Sequence, residues 1–475
     1  MNASQRGRVF FKPDDAWAGD FIPFFWQGVY HLFYLKDFRG TKPGVEGIPW
    51  HHVSTKDFVR FTDHGVALPQ GSRDEQDLYV FTGSVMQHDG TFHIFYTGHN
   101  PQFPKAGKAA QAILHATSRD LITWSKQPSE VLCADPGRYE VNDWRDPFVF
   151  YNSEAKEHWM LVAARLNRGP SSRRGCIALA ASDDLKSWEV RDPFWAPRLC
   201  AVHECPDLFR WGRWWYLVYS TFTERFLTQY RMSRSLSGPW RAPANDSFDG
   251  RAFYAAKTAG DGRRRFAFGW NATRAGESDE GEWQWGGSLV VHELVQSLSG
   301  ALGAKMPPEI GKAFRHDVRL SPRPRMGRWR IDAGRIRAEA VDGFAWCSLA
   351  EMPDPCLMDA RIAWPPGTRA CGIILRADEG LERYYQVRVE PGNGRVVFDR
   401  WPRPGDKPFV LERPLPSSRS LRVSILTEGS MIEAYFGGQV TLSTRGYAAG
   451  GALAAVFVSE GKATFSGARL RGRLR

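Results

Sequence analysis

One phrase recurs through the first 300 residues and leaves few folds open to the chain: a turn followed by an aromatic-rich strand. It reads QGVYHLFY (27–34), DGTFHIFYTG (89–98), EHWMLVAAR (157–165), WGRWWYLVYS (211–220) and DGRRRFAFGW (261–270). A second phrase follows it: HHVSTKDFVRF (51–61), LHATSRDLITW (114–124), LAASDDLKSW (179–188) and YRMSRSLSGPW (230–240). These end at 61, 124, 188 and 240, a period of roughly 50 to 65 residues. Val, Ile, Tyr, Phe and Trp fill each unit, and Gly, Asp and Asn punctuate it, which reads as short strands. In the third unit strands are expected at Pro147–Tyr151, Trp159–Arg165 and Cys176–Ser182, with a fourth beginning at Trp188. Helical periodicity is almost absent. Four strands per unit and five units describe an all-β, five-bladed β-propeller. An array of β-sandwiches is the alternative.

Beyond about residue 300 the pattern changes. A Pro- and Arg-rich join, SPRPRMGRWR (321–330), precedes segments that alternate with period two, such as CGIILRA (371–377), YYQVRVE (384–390) and SLRVSIL (420–426). They suit a β-sandwich. The expected division is a propeller over residues 1–312 and a lectin-like sandwich over 313–475.

The formal net charge is +11, but the basic residues are scattered and no nucleic-acid-binding pattern occurs, so the charge reads as solvated surface. Seven cysteines, an odd number with no CxxC pair, argue against a structural zinc site or a disulfide framework. No His/carboxylate cluster has metal-site spacing. The start, MNASQRGRVFFKPDD, lacks an apolar run like a signal peptide's, and no stretch approaches 18 uninterrupted apolar residues. The expectation is a cytoplasmic protein with no membrane span, although a secreted chain whose leader had been removed would read the same. The abundant aromatic residues, 19 Trp among them, suit both β-rich cores and the apolar faces of sugar rings.

In a propeller the first strand of each blade lies innermost, and the entrances to these strands converge on one mouth. Three acids stand just before such strands: Asp20 in WAGDFIPFFWQG, Asp146 in WRDPFVFY and Glu204 in HECPDLFRW. A second Arg-Asp-Pro-Phe contains Asp192, which falls in or after an outermost strand and reads as a turn residue. Three carboxylates at one mouth fit glycoside hydrolysis: one attacks, one carries a proton and a third stabilises positive charge. Crowding of like charges keeps one of them protonated. His203 reads as packing, Cys205 as a small buried residue, and Asp207 as lying inside its strand. Of His51 and His52, only one can face the channel.

Taken together these segments resemble glycoside hydrolase family 32, the β-fructofuranosidases (invertases, inulinases, levanases and fructosyltransferases), over nearly the whole chain. WAGD followed by YHLFY resembles the family's first motif, and implies that Trp17 binds substrate and that Asp20 is the nucleophile. PWHHVSTKD supplies Trp50 and His52, and FTGS supplies Phe81 and Ser84. Arg145-Asp146-Pro147 implies a transition-state stabiliser, Asp146, beside a substrate-binding Arg145. Glu204-Cys205 implies that Glu204 is the acid/base. The segment 269–294 places Trp270 or Trp285 in the sugar site. The resemblance implies a fructoside substrate and retention through a fructosyl-enzyme intermediate; with the charge, spacing and apolar-run readings above, the expectation is no cofactor, no nucleic-acid or membrane partner, and a monomer or homodimer. Gly19 departs from the family's Asn, FIPFF from its Pro-Asn-Gly, and Leu35 from a frequent Gln. The alternatives are transfer to a sugar instead of water, an inverting arabinosidase or xylosidase on a related propeller, and a sugar-binding propeller without catalysis.

Overall fold

The computed structural model describes residues 8–42, 46–332, 334–403, 411–448 and 450–473. The first blade is β1 (Trp17–Trp26), β2 (Val29–Asp37), β3 (Trp50–Thr55) and β4 (Phe61–Leu68). The second is β5 (Tyr79–His88), β6 (Thr91–His99), β7 (Gln111–Ser118) and β8 (Ser125–Leu132). The third is β9 (Tyr139–Asn152), β10 (Glu157–Leu166), β11 (Gly175–Ser182) and β12 (Glu189–Val190). The fourth has β13 (Glu204–Trp211), β14 (Trp214–Thr221) and β15 (Leu227–Ser233), with bridges at Ser247 and Arg241 along its outer edge. The fifth is β16 (Phe253–Gly260), β17 (Arg265–Arg274), β18 (Trp283–Gln296) and β19 (Leu302–Lys305). Each blade is an antiparallel meander. The innermost strands β1, β5, β9, β13 and β16 neighbour one another in a ring, which closes where Ala18 of β1 pairs with Gly287 of β18.

The second sequence phrase recurs because it builds one turn. In the second blade Ser118 Oγ accepts the Leu121 N–H at 3.0 Å, and Asp120 Oδ1 accepts those of Ile122 and Thr123 at 2.9 and 2.7 Å. Ser182 and Asp184 repeat this on Leu185, Lys186 and Ser187 in the third blade. In the first blade Thr55 accepts from Phe58, and Asp57 from Val59 and Arg60. These side chains answer the backbone donors of a tight turn, which allows Phe58, Leu121 and Leu185 to adopt φ of 58°, 64° and 62° and drop an apolar side chain inward.

A second repeated device sits on the axis. Every innermost strand breaks its ladder at the same level: between Gly19 and Ile22, Phe81 and Gly83, Arg145 and Phe148, Glu204 and Asp207, and Tyr254 and Lys257. Four of these bulges hold a non-glycine residue at positive φ: Asp20 (46°), Asp146 (59°), Cys205 (51°) and Ala255 (50°). A bulge leaves one residue unpaired and re-aims its side chain. This corrects the expectation that the acids precede the strands. Asp20 and Asp146 lie within theirs, and β9 begins at Tyr139, ahead of the expected Pro147.

A short helix, Pro308–Lys312, leads towards the sandwich. Its core is built from alternating residues such as Ile373, Leu375, Val387, Phe398, Ile425 and Phe436. The long strand Leu453–Gly472 pairs through its first half with Ala370–Ala377 and through its second half with Cys356–Ala363. The sandwich meets the propeller through buried polar contacts. Ser443 donates its N–H and hydroxyl to Asp249, Arg445 donates to the Ala272 and Asn271 carbonyls, and Arg413 donates to Asn245 and Ser247. No described helix is long and apolar enough to cross a membrane.

Candidate active site

The bulges of β1, β9 and β13 deliver Asp20, Asp146 and Glu204 to one cavity of about 670 Å³ at the mouth of the propeller. Thr82 on β5 donates its hydroxyl to Asp20 Oδ2 at 2.6 Å, and the Trp270 indole on β17 donates to Oδ1 at 2.9 Å. Both oxygens are thus fixed from neighbouring blades. Burial pushes the Asp20 carboxyl up to about 7; Asp146 and Glu204 add to the shift, and the Thr82 and Trp270 donors oppose it.

Glu204 is half-buried at the start of β13. Arg145 donates from Nη2 to Glu204 Oε1 at 3.1 Å, and the Tyr254 hydroxyl donates to Oε2 at 2.7 Å. Burial raises its pKa and Asp146 adds to this, while Arg145 and Tyr254 pull it down. Arg145 also reaches Asp143 at 2.9 Å, and the carboxylates around it hold it firmly protonated against burial. Asp146 Oδ2 accepts the Cys205 N–H at 2.9 Å, and its own N–H donates to Thr97 at 2.7 Å. Thr97 in turn donates to the Thr82 carbonyl at 3.0 Å, so one hydroxyl ties two bulges together. Two half-buried carboxyls with raised pKa values, beside a third held by a backbone donor, make a set able to attack once ionised, donate a proton and stabilise positive charge.

The other sequence-derived residues divide. Phe81, Arg145, Trp270 and Trp285 line the cavity. Trp285 lies over Gly19, where a Cβ would fall 2.6 Å from its ring. Trp17, Trp50, His52 and Ser84 lie away from the lining. Trp17 packs under Arg39 at 4.2 Å, and Trp50 donates its indole N–H to the Phe81 carbonyl at 3.0 Å. His52 stacks on Phe33, with Nε2 3.0 Å from His31 Nδ1, and burial lowers its pKa to about 2. Ser84 accepts the Val149 N–H at 3.1 Å and joins the second blade to the third. His203 packs between Trp195 and Tyr219 with burial lowering its pKa to about 3. Asp207 accepts both the N–H and the hydroxyl of Thr258 at 2.6 Å. Asp192 points to solvent and pairs with Arg138 at 3.1 Å.

Thr82 and Tyr254 escaped the reading of the sequence. Each occupies the bulge level of an innermost strand, and that phase is the signal that finds them. Tyr254 stands in the fifth blade where Glu204 stands in the fourth and Arg145 in the third. Phe226 stacks on its ring at 4.2 Å.

The family model described as "Glycosyl hydrolases family 32 N-terminal domain" matches residues 10–298, and "Glycosyl hydrolases family 32 C terminal" matches residues 350–471. A "Levanbiose-producing levanase" of Bacillus subtilis (strain 168) is 23% identical over 468 residues, covering 91% of this chain and 83% of the relative. A "Sucrose-6-phosphate hydrolase" of Escherichia coli is 26% identical over 479 residues, covering 93% and 90%. Among solved structures, the exo-inulinase from Aspergillus awamori superposes with a TM-score of 0.72 at 21% identity, covering 98% of this chain and 97% of that one, and so shares the fold.

Proposed function

The chain belongs to glycoside hydrolase family 32, and from that membership we propose that it hydrolyses terminal β-fructofuranosyl bonds of sucrose-like or fructan oligosaccharides with retention of configuration. The observation that carries this reading is the convergence of Asp20, Asp146 and Glu204, from three blades, on one cavity. Asp20 attacks the anomeric carbon of the fructosyl unit while Glu204 gives its proton to the leaving oxygen. Glu204 then takes a proton from water, which releases fructose from Asp20. Asp146, oriented by the Cys205 N–H, accepts hydrogen bonds from sugar hydroxyls that strengthen as positive charge develops. The indole face of Trp285 suits the apolar face of a sugar ring. Catalysis is assigned to the propeller, residues 1–312, and support to the sandwich, residues 313–475.

The test is a screen of the purified chain against sucrose, inulin- and levan-type oligosaccharides and aryl arabinofuranosides, with NMR of the first-formed anomer. Retained β-fructose is expected, whereas an inverted first product or turnover of arabinofuranosides alone would overturn the reading. The two Arg-Asp-Pro-Phe copies supply a matched pair. Asp146→Asn is expected to lower kcat by about 10²-fold or more, and Asp192→Asn to leave it within a few fold, as its exposed carboxylate predicts.

Tyr254→Phe should move the pH profile in a stated direction. Its hydroxyl stabilises the ionised form of Glu204, so removing it raises the Glu204 pKa. Glu204 acts first in its protonated form, and the alkaline limb of kcat/KM reports loss of that proton. That limb is expected to shift to higher pH in the variant; a shift to lower pH contradicts the role given to the bond.

A further inference from the structure

The molecule is basic overall, at +11, but its cavity is acidic. Five of the lining residues are carboxylates: Asp20, Asp37, Asp143, Asp146 and Glu204. Arg145 is the one Lys or Arg among the described lining residues, and Glu204 and Asp143 engage it at 3.1 and 2.9 Å. His99, the remaining basic group of the lining, stacks on Phe81 at 4.8 Å, and burial lowers its pKa, which disfavours its charged form. The rest of the wall is largely aromatic, with a half-exposed Phe222 and Phe226 on one side and Trp283 and Trp285 also in the lining.

Phe222 and Phe226 also border an adjoining groove of about 520 Å³ between the propeller and sandwich segment 411–414. It balances Arg225, Arg251 and Arg413 with Glu224, Asp246 and Glu412. Arg413 is buried against Ser247 and Asn245, and Arg225 lies 3.7 Å from Asp246. Among the described residues this adjoining groove therefore carries equal numbers of basic and acidic side chains. A phosphate dianion entering the cavity would lose water, face carboxylates and find its one arginine already paired. An uncharged sugar brings apolar C–H faces suited to the aromatic walls.

We propose, resting on the fructoside-hydrolase reading above, that the site takes only uncharged sugars and excludes by charge substrates phosphorylated on either ring. The specificity arises from what the lining omits, a cation free to meet the phosphate, as much as from what it presents.

The experiment measures kcat/KM of the full chain for sucrose and for sucrose phosphorylated on its glucosyl ring, at low and high salt. A disadvantage of about 100-fold or more is expected for the phosphorylated sugar, shrinking as salt screens the carboxylates. Equal or greater efficiency with the phosphorylated substrate, or a gap indifferent to salt, overturns the proposal and leaves the hydrolase reading standing. Calorimetric titration with fructose and fructose 6-phosphate gives a readout that does not need turnover. Binding of fructose alone supports the proposal even where no fructoside is cleaved, and preferential binding of the phosphate ester overturns it. Binding of neither sugar together with no turnover overturns both readings.

Discussion

Asp20→Asn is expected to lower kcat by roughly 10⁴-fold or more and, at the same time, to make the protein harder to unfold at neutral and alkaline pH. The first effect follows from removing the oxygen proposed to attack. Asparagine still accepts from Trp270 through its carbonyl and donates to the Thr82 hydroxyl, so the site keeps its shape while losing the proposed nucleophile. The second effect comes from the buried charge. The folded protein holds the Asp20 proton up to about pH 7, while the unfolded chain releases it near the ordinary aspartate value. Across that window the folded state binds more protons than the unfolded state, so stability falls as pH rises and stays reduced above it. Asparagine does not titrate. The gain in Tm of the variant over wild type should therefore be larger at pH 8 than at pH 4. Mass spectrometry should find no fructosyl adduct on the variant. Retained turnover overturns the nucleophile assignment, and a Tm gap independent of pH overturns the electrostatic account.

Glu204→Gln carries the second large effect, and it depends on the substrate. Glutamine fills the same space beside Arg145 and Tyr254 but has no proton to give. With sucrose, whose leaving oxygen needs protonation, a loss of about 10²- to 10⁴-fold is expected. An aryl fructofuranoside with an acidic phenol leaves unaided, so its first step should be affected far less. The second step still lacks a base to activate water, and the covalent intermediate should accumulate as an initial burst of phenol. Equal losses with both substrates and no burst count against the acid/base role.

The propeller was legible in the sequence because its blades repeat local chemistry. A hydroxyl, an aspartate and an apolar residue spaced as in SRDL and SDDL make one turn wherever they occur. The three acids were legible because Asp20 and Asp146 stand at equivalent places in their blades and Glu204 stands one residue earlier in its own, where Arg145 stands in the third, and phase alone separates Asp146 from Asp192. The bulges were not legible. Breaking a ladder depends on the partner strand and on the blades alongside, and no single strand records it. Thr82 and Tyr254 were missed for the same reason, since each is an ordinary strand residue until the bulge turns it inward. Trp50, His52 and Ser84 show the converse. Their letters match a motif, but here their side chains join strands and blades instead of lining the cavity. Gly19 has a packing explanation that only the structure supplies: the Trp285 ring already fills the space a side chain would take.

The ring closes beside the proposed nucleophile, and on that assignment this fixes the order in which the protein becomes active during folding. Asp20 lies two positions from the Ala18–Gly287 seam, and its Trp270 partner is 250 residues further along the chain. A nascent chain that has completed four blades still lacks that partner and the ring above Gly19. Blades can form one after another from local contacts, but the Asp20 carboxylate is positioned only when the last blade meets the first, a step of long loop closure. Enzymatic activity thus reports completion of the circle, and it should reappear on refolding later than the secondary structure of the blades.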